Sequence, residues 1–586
     1  MDNNKAKWLL ENLLFRLADR DDGKQELPGI ITEAEQQALS AAIGALSTPP
    51  QTTPEEPTDT LSLRARAPVA SIVAEKYSSG DSDALADEAQ EAAVESEPVD
   101  GDVEIEEPLE SKDDEIEISL PSFADEPVSP DFRLCIDFGT AMSKVTLVHD
   151  GAGKDGGDEI RVLELGEVAG QDPSDGPLEL LISSVYISND GYVYFGKDAL
   201  EVSEQEAGDG NRQRIDNMKR FLSEDGIDQV LSDEFNPTSV EIDYRDIVLF
   251  YLVYLTWVIN QCSDELGYEK AICRRFAMPC FEVGKARQYS SMLSRMLGDA
   301  QVVADLVAEE ISEGIALDKL KLICDKVQEK NFEYSFVGSP VTEPLGVASA
   351  LVSEDGAANN LSMVIDIGAG TTDISLFRIR VDSNESVYVA NQVPGAARGL
   401  TMAGNYIDRV LVQKILSSAG ITYQSDNYRR IRNDLERKIR VYKEELFETG
   451  SIDVPLPNGE VIEVMLEELL QSQSIHEFQK ELRNKIVEVL EEVDDFILRT
   501  APRKELVLVL TGGGASLPFV RSMVGENIEA RNISLKTVKS HDFPEWLEED
   551  HADLENIFPR IAVSLGGARE NVIVPYDQQN MELADA

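Results

Sequence analysis

Basic residues are scarce in this chain. Its 53 Lys and Arg stand against 110 Asp and Glu, a formal charge of −57, which argues against broad attraction to phosphate backbones or anionic lipid and against nucleic acid as a partner. Cysteine is sparse too: Cys135, Cys262, Cys273, Cys280 and Cys324 are scattered, and the closest two have six residues between them, so neither a zinc spacing nor a disulfide framework is present. The four histidines (His149, His476, His541, His551) have no companion at nucleophile or metal spacing, and no catalytic triad is readable. Long apolar runs are missing. The longest, residues 247–259 (IVLFYLVYLTWVI), is thirteen residues against the ~20 that a spanning helix needs, which points to a buried helix and no membrane insertion. At the N-terminus, MDNNKAKWLLENLLFRLADRDD breaks its short apolar stripe with acid and lacks a secretory pattern, so a cytoplasmic location is expected.

What remains is ordinary globular material, 42 % hydrophobic, in a chain of 586 residues with ample room for a core. Residues 1–48 read as two short helices joined at Pro28-Gly29. Leu9, Leu10, Leu13, Leu14 and Leu17 share one face, and Thr32 with Glu35 forms a capping-box signature ahead of the second. From 51 to 130 the chain turns to Pro, Ser, Ala and acid, with 23 Asp or Glu against 4 Lys or Arg, too much charge and too little apolar surface to offset ordering entropy. At Phe132 strand-like runs punctuated by glycine begin: RLCIDFG, KVTLVHD, SVYISND and GYVYFG. A helical stretch from about 210 to 335 follows, then a second strand series (MVIDIGAG, DISLFRIRV, VYVANQV). Helices over 403–448 and 466–500 lead to a last strand, LVLVLTGG.

Three glycine turns punctuate those strands. The first, Asp137-Phe-Gly139-Thr140-Ala141-Met-Ser143-Lys144, and the second, Asp366-Ile-Gly368-Ala369-Gly370-Thr371-Thr372-Asp373, are each a strand, an Asp-x-Gly turn and a returning strand, with amides and hydroxyls turned outward over a carboxylate. Two such hairpins 229 residues apart imply duplicated lobes facing each other across a phosphate chain. The third, Thr511-Gly512-Gly513-Gly514-Ala515-Ser516, follows a buried-type strand and opens a helix (FVRSMV), a setting suited to anions and to a flat base or sugar.

The order and spacing of these motifs resemble the actin, sugar-kinase and heat-shock-chaperone ATPase superfamily, and within it the ATPase domain of the heat shock protein 70 (DnaK-like) chaperones, over residues 132–575. Lesser motifs recur in the same order: Asn217-Met218-Lys219-Arg220-Phe221-Leu222, Phe276-Ala277-Met278-Pro279, Thr342-Glu343-Pro344-Leu345-Gly346, Gly404-Asn405-Tyr406-Ile407-Asp408, and 562–568 (AVSLGGA). The resemblance implies an α/β, two-lobed actin-like ATPase, with duplicated ribonuclease-H-like lobes around a central nucleotide cleft. The expected organisation is an N-terminal helical hairpin (1–48), an acidic disordered linker (49–130), the ATPase domain (131–575, lobe I about 131–345, lobe II about 346–575) and a tail (576–586).

It also implies ATP or ADP with Mg2+ as cofactors. Asp137 and Asp366 would hold the metal through water, and Lys219 would orient the attacking water. Glu343 would hold metal-bound water, Thr140 and Thr371 would bond the outer phosphates, and Asp373 would stand near the catalytic water. Gly139, Gly368, Gly370, Gly404, Gly512, Gly513 and Gly514 would give close backbone approach, with Ala141 and Ala369 standing where a hydroxyl and a glycine are common. Lys443 matches a nucleoside-contacting lysine, but Arg440, Glu444 and Phe447 stand where the chaperones have an acid, a base and a serine. Ser516 replaces an arginine that stacks on adenine, and Arg560 an acid, so adenine specificity is the less secure half.

About eighteen residues follow Ala568, so a C-terminal peptide-binding domain is not expected. The additions are N-terminal, plus a helical insertion near 299–335 in which Leu317, Leu320, Leu322, Ile323 and Val327 can form a face. Either that insertion or the N-terminal helices would meet a protein partner or client. The leading reading is a slowly hydrolysing, chaperone-like ATP switch; the others weighed are an actin-like filament, a small-molecule kinase and a catalytically inactive nucleotide-binding scaffold. Oligomeric state is not readable.

Overall fold

The structure is a computed structural model. It describes residues 118–120, 128–570 and 573, apart from 154–156, 173–176, 207–211, 224–225, 281–282, 353–356, 383–386, 426, 542 and 549, together with 18–19 and 25–26. The chain divides into two units, Met1–Asp114 and Glu115–Ala586. In the first, Ala18–Asp19 pairs antiparallel with Gln25–Glu26. The two expected N-terminal helices, most of the 49–130 linker and the 576–586 tail lie outside the described residues.

The second unit is mixed α/β. Its first sheet begins with β1 (Ser129–Asp137), β2 (Met142–His149) and β3 (Glu159–Val162), an antiparallel meander. A hairpin of β4 (Val185–Ile187) and β5 (Tyr192–Phe195) follows. Helix α1 (Tyr244–Glu265) starts on a reciprocal cap in which the Asp243 and Asp246 side chains each accept the other's amide. By length and composition α1 could cross a membrane, but 89 % of its apolar window is buried inside the fold, which makes it a core helix. Beyond it come β6 (Ile272–Met278), α2 (Val283–Leu306), β7 (Ile315–Ala316), α3 (Leu317–Lys330), β8 (Val337–Thr342) and α4 (Glu343–Leu351). The first sheet runs β8-β6-β1-β2-β3, with β8, β6 and β1 parallel.

The second sheet repeats that plan. An antiparallel meander of β9 (Ala357–Ile367), β10 (Thr372–Asp382) and β11 (Val387–Leu400) leads into α5 (Gly404–Ser418) and α6 (Tyr428–Thr449). The hairpin β12 (Ser451–Pro455) and β13 (Val461–Met465) and then α7 (Gln473–Glu492) follow. The chain then adds β14 (Glu505–Thr511), β15 (Asn527–Ala530), β16 (Ile533–Lys539) and α8 (Phe558–Ala568). The order is β11-β10-β9-β14-β16-β15, with β9, β14 and β16 parallel, so in both sheets a meander extends one side of its first strand and two parallel strands extend the other. Central β1 and β9 carry near-continuous apolar runs because helices cover both faces; Leu134–Ile136 and Met363–Ile365 are fully buried.

Two helices join the sheets. α4 leads from β8 to β9 and packs on β9 and β10, while α8 comes after the second sheet and packs back on β1, β2 and β6. They cross at Gly346 and Gly566, where a Cβ added to Gly566 would lie 1.8 Å from the Gly346 carbonyl oxygen.

Four expectations are corrected. Packed chain begins ahead of residue 131: β1 starts at Ser129, Ile118 lies against the first core, and Leu120 and Val128 against Phe336. LVLVLTGG is not the last strand, since β15 and β16 follow it; in β16 only Leu535 and Thr537 are buried, too few apolar positions to give a strand-like run. Leu322 does not share the α3 face. Leu317, Leu320, Ile323 and Val327 are buried in the core, while Leu322 is 48 % exposed, so the apolar face offered for a partner is spent inside the fold. The third glycine turn opens a 3-10 turn (Gly513–Ser516) before a helix of only four residues, Pro518–Arg521.

Candidate functional site

Register places the ionisable groups. In β1–β2, Asp137 pairs with Lys144; in β9–β10, Asp366 pairs with Asp373. Directly paired residues project on the same face, so each hairpin carries two ionisable side chains beside its turn, and the two hairpins are equivalent except that one second position is basic and the other acidic. The turns abut. A Cβ added at Gly370 would lie 2.7 Å from Thr140 Oγ1, so a side chain there would force Thr140 to move. The third turn closes from the side: Gly512, at φ +78°, would place a Cβ 2.6 Å from Asp366 Oδ1 and 2.4 Å from the Ile367 carbonyl oxygen. The start of α5 is tied to the second turn, with the Gly404 amide donating to Gly368 O at 3.1 Å and the Asn405 amide to Ala369 O at 2.7 Å.

Lys219 and Glu343 complete the cluster from far along the chain. Lys219 Nζ lies 2.5 Å from Glu343 Oε1 and 3.9 Å from Asp137 Oδ1, over the Phe138 ring at 5.8 Å, while Lys144 Nζ donates to Asp137 Oδ2 at 2.9 Å. Asp373 Oδ1 accepts the Cys280 amide at 2.7 Å, and its Oδ2 is buried with no hydrogen-bond partner. Asp137, Lys219, Glu343, Asp366 and Asp373 are all buried. Burial, then Glu343, Asp137 and Asp373, push Asp366 well above the usual carboxylate range. Burial and Glu343 push Asp373 up to about 7. For Lys219, burial acts to lower the amine, but Glu343 and Asp137 outweigh it and hold it above its ordinary value.

The remaining expected residues sit around this cluster. The Ala141 carbonyl accepts the Ser183 amide at 3.0 Å. Lys443, on α6, pairs with Asp408 of α5 at 2.8 Å; Arg440 pairs with Glu444 at 3.1 Å; and Ser516 donates to the Gly513 carbonyl at 3.4 Å. Gly513 faces open space. Lys443, on α6, and Gly513 and Ser516, in the third turn, make these contacts outside the carboxylate cluster. Sequence reading missed Lys144, the Cys280 amide and Asp408. For Lys144 the signal was present: a turn closing between Asp137 and residue 144 brings the two into register.

Four buried carboxylates stand against two lysines, and burial with mutual repulsion favours the neutral forms of Asp366 and Asp373, so an added cation would ionise them; with Asp373 Oδ2 lacking a partner, the donor set fits a hydrated divalent cation. Among the described residues no three His, Cys, Asp or Glu are grouped to chelate a metal directly, so such an ion would be gripped through its water. One consequence can be checked without ligand. A carboxylate whose folded-state pKa is raised favours folding while neutral, and that contribution is lost as pH climbs from about 4 through about 7. Asp373→Asn keeps the oxygen that accepts the Cys280 amide. It is expected to leave stability unchanged near pH 4 and to raise it by on the order of 2 to 4 kcal/mol at pH 8, read by denaturant unfolding at both pH values.

Fold and site together define an α/β protein with two equivalent aspartate hairpins around an anionic, lysine-bearing centre. No family model matches the chain. Over 197 residues it is 30 % identical to the chaperone protein HscA homolog of Burkholderia ambifaria, and over 189 residues 28 % identical to the chaperone protein HscA homologs of Cupriavidus taiwanensis and Cupriavidus pinatubonensis. Each match covers 32 % of this chain and spans 28 % of the relative's length.

Proposed function

We propose that this chain is an ATP-binding, slowly ATP-hydrolysing protein that signals its nucleotide state to a protein partner, as a chaperone-like switch. In this reading the two sheets belong to two actin-like lobes of the heat shock protein 70 type, and the nucleotide lies between them. The likeness to HscA homologs over part of the chain supports the chaperone side. The observation that carries the proposal is the turn-to-turn approach of Thr140 and Gly370 above the carboxylate cluster and Lys219.

Magnesium, when bound, would neutralise the outer phosphates. Asp137 and Asp366 would hold it through water, and Glu343 would hold one of those waters. The turn amides at Gly139 and Gly370 would approach the phosphates closely, while the Gly368 amide closes its own turn on the Thr371 carbonyl at 3.0 Å, and the Thr140 and Thr371 hydroxyls would donate to the phosphates. Lys219, fixed by Glu343, orients the attacking water and offsets charge that develops as the phosphoryl bond breaks. Asp373, through its unpartnered Oδ2, accepts a hydrogen bond from that water. Lys443, Gly513, Gly514 and Ser516 flank the base. Closing on ATP and relaxing after hydrolysis, the lobes pass the change on only so far as nucleotide binds the two states unequally.

Thermal unfolding tests the proposal. MgATP or MgADP at about 100 times the dissociation constant is expected to stabilise the protein by about 2.7 kcal/mol, and a chelator to abolish the gain. No shift with either nucleotide at millimolar concentration contradicts it. Partner recruitment is assigned to residues 1–114 and the location to the cytoplasm. Deleting 1–114 is expected to leave hydrolysis near that of the full chain and to abolish co-purification of the partner; unchanged recruitment would move the partner surface to the second unit.

A further inference from the structure

We propose that Asn405 is a positioning residue for Lys219: through the side chain of Asn217 it ties the segment that carries the lysine to the second glycine turn. The inference rests on the reading of Lys219 as the group that orients a water for hydrolysis, and adds what holds that lysine in step with the turn.

Asn405 Nδ2 donates to Asn217 Oδ1 at 2.9 Å, a bond between residues 188 positions apart. Each partner is anchored on its own side. Asn405 lies at the start of α5, where three bonds lace residues 402–405 to the second hairpin. The Gly404 amide donates to Gly368 O at 3.1 Å, the Asn405 amide to Ala369 O at 2.7 Å, and Thr372 Oγ1 to Met402 O at 2.7 Å. The two segments also touch: a Cβ added at Gly404 would lie 3.2 Å from Ala369 Cα. A shift of the 368–371 turn is therefore carried to Asn405.

Asn217 stands two residues before Lys219. Ahead of it, Ile215 and Val185 of β4 exchange backbone bonds at 2.9 and 3.0 Å, and Asp216 accepts from Ser184 at 2.7 Å and from Arg214 at 2.6 and 3.0 Å. After it, Met218 is fully buried in the first core and the Leu222 amide donates to Lys219 O at 3.1 Å. The segment is thus pinned on both sides of Asn217, while the Asn217 side chain reaches the start of α5. Gln213 with Glu436 at 3.3 Å and Arg429 with Glu234 at 3.6 Å also join this stretch to the second half of the fold, but they end on α6 rather than beside the turn, and Arg429 is 64 % exposed. One neutral amide-to-amide bond is weak enough to break and re-form as the turns move. It is also sufficient to matter, because a displacement of about 1 Å in a positioned group can cost on the order of 100-fold in rate.

The bond has a direction, which isosteric changes can read. In single-turnover phosphate release from MgATP by the full chain, Asn405→Asp, which loses the donor, and Asn405→Ala are each expected to lower the rate about 10-fold, with MgATP affinity by calorimetry within about threefold of wild type. Asn217→Asp keeps the acceptor and is expected to stay within about threefold in rate. Asn217→Ala combined with Asn405→Ala is expected to lose about 10-fold, no more than either change alone, because both remove the same bond. Arg429→Ala is expected to stay within about twofold. An Asn405→Asp rate within about twofold of wild type overturns the proposal, as do equal losses in Asn217→Asp and Asn405→Asp. So does a loss of MgATP affinity as large as the loss of rate, which would mark a structural contact. Should the Asn405 variants fail to fold, a wild-type rate in Asn217→Ala overturns it. A wild-type chain that releases no phosphate refutes the reading of Lys219, and this inference with it; that result is distinct from an active wild type beside unaltered variants.

Discussion

Lys219→Ala is expected to lower ATP turnover by at least about 100-fold while MgATP affinity stays within about threefold, since a positioned group that acts on the attacking water contributes mainly at the transition state. The geometry behind this is specific. The amine is buried, 2.5 Å from Glu343 and 3.9 Å from Asp137, in a position set by a loop and a helix start 124 residues apart. Removing it leaves two carboxylates without that partner, which costs on the order of 3 kcal/mol of stability in a buried pair. Turnover is therefore to be measured below the variant's melting range, by phosphate release, with affinity taken separately by calorimetry. Equal turnover in wild type and variant would remove the role assigned to Lys219.

The second large effect is expected where the sheets are joined. At the crossing of α4 and α8, a Cβ on Gly566 would lie 1.8 Å from Gly346 O and 2.6 Å from the Ala350 amide nitrogen, both backbone atoms that cannot turn aside. Gly566→Ala must therefore push the helices apart, breaking the packing of α8 on the first sheet or of α4 on the second. A loss of about 3 kcal/mol or more is expected, at the upper end of overpacking effects. Gly513→Ala is the control. Nothing lies within 4 Å of the added carbon there, so a change within about 1 kcal/mol is expected, and denaturant unfolding of both variants compares them. Equal stabilities would show that the crossing yields, and would weaken the case for α4 and α8 as the rigid link between the sheets.

Local features were the legible ones. Asp137-Phe-Gly139 and Asp366-Ile-Gly368 could be read because a strand, a tight turn and a returning strand are encoded within a dozen residues. Helix α1 was visible as a thirteen-residue apolar run, but the helix extends over twenty-two residues, long enough to span a membrane, and only the packing around it shows it to be a core helix. Lys219 and Glu343 were singled out by resemblance rather than by pattern, because their meeting depends on the first sheet closing around residues 124 positions apart. Nothing local marks the Cys280 amide, whose contact with Asp373 links residues 93 positions apart, from the end of β6 to the start of β10. Leu322 shows the opposite failure. Five apolar residues in an eleven-residue window looked like one face, yet Leu322 is only two positions from Leu320 and one from Ile323, which turns it outward. Strands β15 and β16 were missed because a half-exposed edge region carries polar residues at alternate positions and loses its apolar signature.

The most direct measurement is a crystal structure of the full chain grown with MgADP. Density for the phosphates is expected between the 139–141 turn and the 368–371 turn, with the magnesium reaching Asp137 and Asp366 through water. Nucleotide bound at any other place, or a crystal grown at saturating MgADP in which the two turns still touch with nothing between them, would contradict the central claim that these hairpins hold one polyphosphate.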